Sequence, residues 1–211
     1  MVLAWLRPPG KDRAAAGRRR LARDYSLPYQ KVRMRRLLLL RHGKADRHSA
    51  GGDRERPLTR RGEEDARRVG EFIRDLGVTP DLAVASNARR AKQTLERALE
   101  AFPAHVTHVI ENTIYLASAD HLVDVLRQTP DRAHALLAVG HNPGFAELAS
   151  LLAGAGDPVE LEMMRMKYPP AALAVLDFDA ARWSDIGPGA ARLHRFVTPA
   201  ILRGEAVDDP D

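Results

Sequence analysis

Cysteine is absent from the 211 residues, which excludes disulfide stapling and thiol chemistry and leaves the redox compartment undetermined. Long apolar runs are also missing: nothing approaches the roughly 20 residues that a membrane-crossing helix needs. The apolar stretch Val2-Leu3-Ala4-Trp5-Leu6 is too short for a secretory core, and its charges follow rather than precede it. A soluble, cytoplasmic protein is the expectation. There is no internal repeat, and no cluster of carboxylates of the kind a two-metal phosphatase uses. The length suits one sizeable core and is short for two domains.

An excess of positive charge is missing from most of the chain in spite of a net charge of +5. Residues 1 to 36 hold 11 Lys and Arg against 2 Asp, and the remainder holds 22 against 26 acidic residues. All the excess positive charge therefore sits in the leading segment, and nucleic acid is not an expected partner of the rest. Residues 1–34, with Pro8-Pro9 and Arg18-Arg19-Arg20, read as a basic, flexible arm dispensable to the fold, or as residues ahead of a start at Met34. A single domain is expected over 35–203, followed by a frayed acidic tail over 204–211.

What the domain does have is an apolar run, Leu37-Leu38-Leu39-Leu40, that ends abruptly in Arg41-His42-Gly43. Such a run suits a strand covered on both faces of a parallel sheet, whose carboxyl end is where α/β folds bind ligands. Arginine offers a planar fork of donors matched to phosphate, histidine a nucleophilic ring nitrogen largely unprotonated near neutrality, and glycine a close backbone approach. The combination reads as a phosphoryl-transfer nucleophile beside an anion clamp. A second apolar run, Ala135 to Val139, delivers Gly140-His141-Asn142-Pro143-Gly144 to the same edge. A third short strand breaks at Ser86-Asn87 and opens into a helix carrying Arg89 and Arg90, either of which could reach a pocket at the helix N-terminus.

Four ordered segments, Arg41-His42-Gly43, Arg56-Pro57-Leu58-Thr59-Arg60-Arg61-Gly62, Ser86 to Thr94 and Gly140-His141-Asn142-Pro143, make the chain resemble the histidine phosphatases, and within them the short SixA-type phosphohistidine phosphatases. The resemblance implies that His42 is the nucleophile, that Arg41, Arg90 and His141 hold the phosphoryl oxygens, and that Gly43, Asp46, Ser86 and Asn142 line the substrate. Glu111 is the candidate general acid, with Asp46 as second candidate. The same resemblance implies no cofactor and no metal.

The coarse pattern supports an α/β fold with a mostly parallel central sheet, helices on both faces and a C-terminal edge hairpin, as in phosphoglycerate mutase-like proteins. Strands are predicted at 36–41, 82–85, 106–110 and 135–139, and helices at about 60–76, 88–101, 119–128 and 143–153. Thr59 is a predicted N-cap, and Val69, Phe72, Ile73 and Leu76 recur at core spacing. Residues 154–158 read as a loop, Met163 to Lys167 as a possible pocket rim, and Ala171–Phe178 with Leu193–Val197 as the hairpin, with Trp183 a packing anchor. His105 and His108 lack a third metal ligand at suitable spacing.

The expected function is metal-independent dephosphorylation of protein phosphohistidine through a phosphohistidine intermediate. Alternatives are a small-molecule phosphomonoesterase, a phosphoglycerate-mutase-like phosphotransferase, which the short span from His42 to Thr59 disfavours, and a non-catalytic phosphate-binding protein. The partner would be a phosphotransfer domain or a small phosphorylated molecule. Oligomeric state is not legible.

Overall fold

A computed structural model describes residues 34–205, so the basic arm up to residue 33 and the tail from residue 206 lie outside the described residues. The first strand, β1 (Met34–Arg41), contains four leucines that are all completely buried. Successive strand side chains point to opposite faces, so such a run is stable only with apolar layers on both sides. Leu37 and Leu39 join one layer, with Leu122, Leu126, Phe145, Leu148 and Trp183; Leu38 and Leu40 join the other, with Val69, Ile73 and Leu95. Each burial stabilises the fold by about 1.5–3 kcal/mol before conformational entropy is set against it.

The remaining elements alternate as expected: α1 (Arg60–Asp75), β2 (Leu82–Ser86), α2 (Arg89–Leu99), β3 (His108–Glu111), α3 (Ala119–Arg127), β4 (Ala135–Gly140) and α4 (Gly144–Leu152). After them come β5 (Ala153–Ala155), α5 (Pro158–Met166), β6 (Leu173–Asp179), β7 (Ala191–Val197) and the short α6 (Pro199–Leu202). The sheet runs β3-β2-β4-β1-β6-β7-β5. Strands β3, β2, β4 and β1 pair in parallel, while β6 runs antiparallel to both β1 and β7. Helices α1 and α2 pack on one face and α3 and α4 on the other. Among the described residues, no helix is long and apolar enough to cross a membrane.

Several details differ from the sequence reading. The hairpin β6–β7 forms, but β6 lies inside the sheet against β1 and the three-residue β5 takes the outer position beside β7. The strand Ala153–Ala155 takes in the last residue of the predicted helix and the first two of the stretch read as a loop, and Gly154 touches Gly189 so closely that an added Cβ would lie 2.0 Å from its carbonyl oxygen. Met163 to Lys167 belongs largely to a helix that the sequence reading lacks. Asp157 caps it, accepting from the amides of Val159 and Glu160, and Pro158 suits its first turn. Met34 already belongs to β1 rather than to the arm, and Glu205, at the start of the acidic tail, is anchored by its amide to the Ala200 carbonyl at 3.0 Å and by its carboxylate to Arg203.

Parallel pairing aligns the carboxyl ends of four strands. Arg41 of β1 lies opposite Gly140 of β4, and Ser86 of β2 opposite Glu111 of β3. The loop after β1 returns along α1: Thr59 donates its amide to the Lys44 carbonyl at 2.9 Å and caps α1 by accepting from Gly62 at 3.1 Å. Gly62 then lies against the loop that follows His42, where a Cβ would come within 2.1 Å of the Lys44 carbonyl oxygen. Gly62→Ala is therefore expected to destabilise the protein by about 1–3 kcal/mol through backbone displacement, measured by urea denaturation. Unchanged stability would show that the loop has room to move.

Candidate active site

His42 leaves β1 with its backbone fixed on both sides, donating its amide to Gly140 and accepting from Ala171, each at 3.0 Å. Its Nδ1 lies 2.7 Å from the Gly43 carbonyl. A carbonyl oxygen only accepts, so Nδ1 carries the proton and Nε2 carries the lone pair. Arg90 donates its Nε to that Nε2 at 3.2 Å. Gly43 is itself held, since its amide donates to Thr94 Oγ1 at 2.9 Å and Thr94 donates to the Arg90 carbonyl at 2.7 Å.

Arg90, the second residue of α2, has its side chain only 4 % exposed, whereas neighbouring Arg89 is exposed. This separates the two arginines that the sequence left adjacent. The next residues of the same helix support the pocket: Gln93 accepts from the Leu58 amide at 2.8 Å and so ties the loop after His42 to α2. On β1, Arg41 donates from Nη1 to the Tyr168 carbonyl at 2.7 Å. Asn142 donates to the same carbonyl at 2.9 Å, and Tyr168 is anchored in turn by its hydroxyl to Leu39.

His141 is buried at the end of β4, with its ring centroid 5.0 Å from that of His42. Its Nε2 lies 2.8 Å from the fully buried Ser86 hydroxyl, which also accepts from the Ala88 amide at 3.3 Å. The buried hydroxyl has no other acceptor among the described hydrogen bonds, so its proton points at His141 Nε2, which leaves the ring proton on Nδ1. Six buried side-chain polar atoms have no hydrogen-bond partner among the described residues, and three of them, Arg41 Nε, His141 Nδ1 and Asn142 Oδ1, belong to this site. Buried polar groups are rarely left this way, and two of these three are donors, the pattern expected of an anion site.

The other expected site residues are placed differently. Ser86 is completely enclosed and meets the site through His141, so it does not line the substrate directly. Gly43 likewise faces His42 and Thr94. Asp46 touches the loop through its backbone, accepting from Arg56 Nε at 2.5 Å, and its side chain makes no described bond to the pocket. Glu111 caps the turn after β3 by accepting from the Thr113 amide at 2.9 Å, and that bond holds its carboxyl below the usual carboxylate range. A carboxylate so held is a poor proton donor near neutrality.

Two residues outside the sequence motifs complete the site. Asp53, in a 3-10 turn over Asp53–Glu55, meets Arg90 twice: its carbonyl accepts from Nη1 at 2.6 Å and its Oδ2 from Nη2 at 2.9 Å. The Tyr115 hydroxyl donates to the same Oδ2 at 2.5 Å, and the Tyr115 ring packs edge-on to His141 with centroids 5.2 Å apart. The only available signal for Asp53 was its position three residues before Arg56, and nothing periodic marks Tyr115.

Burial pushes His42 down from 6.5 to about 3, an effect that His141, Arg90 and Arg41 reinforce against the Gly43 acceptor. Burial, with Arg90 and Arg41, lowers His141 to about 4 despite Asp53. Both rings are therefore neutral in the free protein, and Nε2 of His42 is a competent lone pair. The unfolded chain binds more protons than the folded one from about pH 3 to 6.5, so stability rises with pH across that window. A long-range 15N NMR titration should find both rings neutral at pH 5.5, each with its proton on Nδ1. An imidazolium at either position at that pH would contradict the assignment.

A family model for the histidine phosphatase superfamily, branch 1, matches residues 37–112. An uncharacterized chloroplastic protein of Arabidopsis thaliana is 31% identical over 78% of this chain and 78% of its own length. An uncharacterized protein of Mycobacterium tuberculosis is 32% identical over 76% of this chain and 99% of its own. Among solved structures, a Nakamurella multipartitia protein assigned as the phosphohistidine phosphatase SixA superposes with a TM-score of 0.69 at 26% identity, covering 79% of this chain and 96% of that one. Strand-end histidines on a shared sheet edge, a buried arginine on α2 and this set of relatives lead to one conclusion: the chain belongs to the histidine phosphatase superfamily and is a phosphatase.

Proposed function

We propose that the protein dephosphorylates phosphohistidine on a partner protein, through a phosphohistidine intermediate of its own at His42. The observation that carries this reading is the lone pair of His42 Nε2, fixed by the Nδ1 bond to Gly43 and surrounded by Arg41, Arg90 and His141. In the first half-reaction Nε2 attacks phosphorus, the Nε2–P bond forms, and the bond to the leaving group breaks with its electron pair. The incoming phosphorus displaces the Arg90 Nε–H from the Nε2 lone pair, so that donor turns to a phosphoryl oxygen. Arg41 Nε and His141 Nδ1–H, both buried without partners, supply further donors to the oxygens, whose negative charge is spread over all three in the transition state. In the second half-reaction water attacks phosphorus, phosphate leaves with the new P–O bond, and Nε2 recovers its lone pair.

Leaving-group protonation favours a phosphoramidate. Glu111 is engaged with Thr113 and held ionised, and neither it nor Asp46 makes a described bond to His42. An alkoxide needs a proton from the enzyme as it departs, whereas the imidazole of phosphohistidine leaves readily once it has taken a proton from solvent. A protein substrate bearing such a group, a phosphotransfer domain, also agrees with the name of the Nakamurella relative.

The test is turnover of a phosphohistidine-bearing phosphotransfer domain against a panel of small phosphate monoesters, without added metal. Preferential loss of phosphohistidine is expected, abolished in His42→Ala and reduced about 10²–10³-fold in Arg90→Ala, the usual cost of removing one preorganised donor. Preference for a monoester would contradict the substrate while leaving the nucleophile in place. Full activity of His42→Ala would overturn the mechanism.

A further inference from the structure

Asp53 is a charged group at the pocket that the proposed chemistry does not use. Its carboxylate is separated from the His42 lone pair by a single guanidinium: Asp53 Oδ2 accepts from Arg90 Nη2 at 2.9 Å, and Arg90 Nε donates to His42 Nε2 at 3.2 Å. Unlike Arg90, it stands at the mouth, with its side chain 47 % exposed. Three donors from separate elements fix it there: Arg90, the Tyr115 hydroxyl and Arg56, whose Nη1 reaches Oδ1 at 2.7 Å. These bonds hold the carboxyl well below its ordinary range, so it is ionised at every working pH.

In-line displacement places the leaving group on the side of phosphorus opposite Nε2. His141 and the strand ends beside His42 are buried, so a leaving group finds room only on the exposed side of the site, where the Asp53 carboxylate stands. Resting on the phosphatase reading above, we propose that Asp53 is a specificity-determining residue that selects by charge, penalising phosphorylated molecules whose leaving group is anionic and admitting those whose leaving group is neutral or cationic. The imidazole of phosphohistidine belongs to the admitted class; carboxylated phosphates such as phosphoglycerates belong to the penalised one. The cations beside Asp53, Arg90, Arg56 and the Arg54 guanidinium 4.5 Å over the Tyr115 ring, set the baseline attraction for any anion. Coulomb interactions superpose, so they do not cancel the contribution of the carboxylate itself.

Glycerol 3-phosphate and 3-phosphoglycerate differ only in a hydroxymethyl group against a carboxylate, and their dissociation constants can be measured by titration calorimetry on the full chain and on Asp53→Asn. The variant is expected to shift the affinity ratio towards 3-phosphoglycerate by about threefold to tenfold at low ionic strength, with the shift shrinking as salt is added. An unchanged ratio would overturn the proposal. So would an equal loss of affinity for both ligands, or a salt-independent shift, since either assigns Asp53 only the positioning of Arg90. Because these are affinities, the result stands apart from whether phosphohistidine is the substrate: a chain that fails to hydrolyse phosphohistidine but shows the salt-sensitive shift overturns the substrate reading and leaves the role of Asp53 intact.

Discussion

The structure depends on how one imidazole is held. His42 sits between an acceptor that only accepts, the Gly43 carbonyl, and a donor that only donates, the Arg90 guanidinium. Those two contacts fix both the tautomer and the ring plane, and everything around them keeps the two partners in place. Thr94 holds the Gly43 amide, Gln93 holds the loop that returns at Leu58, and Asp53 holds the far side of Arg90. One turn of α2 thus contributes Arg90, the proposed anion-binding residue, and two supports for the loop after His42. A change at Thr94 would be felt at His42 although it meets no ligand.

The second consequence is electrostatic. Two histidines and two arginines share a small buried volume, an arrangement that would be prohibitive if all four were charged. The conflict is resolved by keeping both rings neutral and by providing Arg90 with the Asp53 carboxylate. Arriving phosphate brings the missing negative charge, so the free pocket is poised for an anion and the nucleophile needs no base to deprotonate it.

Much of this was legible in the sequence. Leu37 to Leu40 identified the central strand because complete burial on two faces leaves no polar alternation, and Arg41-His42 and His141 followed as strand-end groups. Thr59 declared the start of α1 by its capping chemistry. Helix α5 was equally declared, by Asp157-Pro158, but the flanking glycines drew the reading towards a loop. Asp53 and Tyr115 were not legible, because their roles arise from a contact 62 residues apart in the chain, with no spacing rule behind it. The enclosure of Ser86, which turns an expected substrate contact into a support for His141, likewise depends on packing that only the assembled sheet supplies.

The central claim is that Nε2 of His42 is the atom that takes the phosphoryl group. The most direct measurement is rapid quenching of the enzyme during turnover of a phosphorylated phosphotransfer domain, followed by peptide mass spectrometry under alkaline conditions. An acid-labile, base-stable phosphoryl group on the peptide containing His42, attached at Nε2, is the expected result. A phosphoryl group on another residue, or turnover with no covalent adduct on His42, would contradict the account.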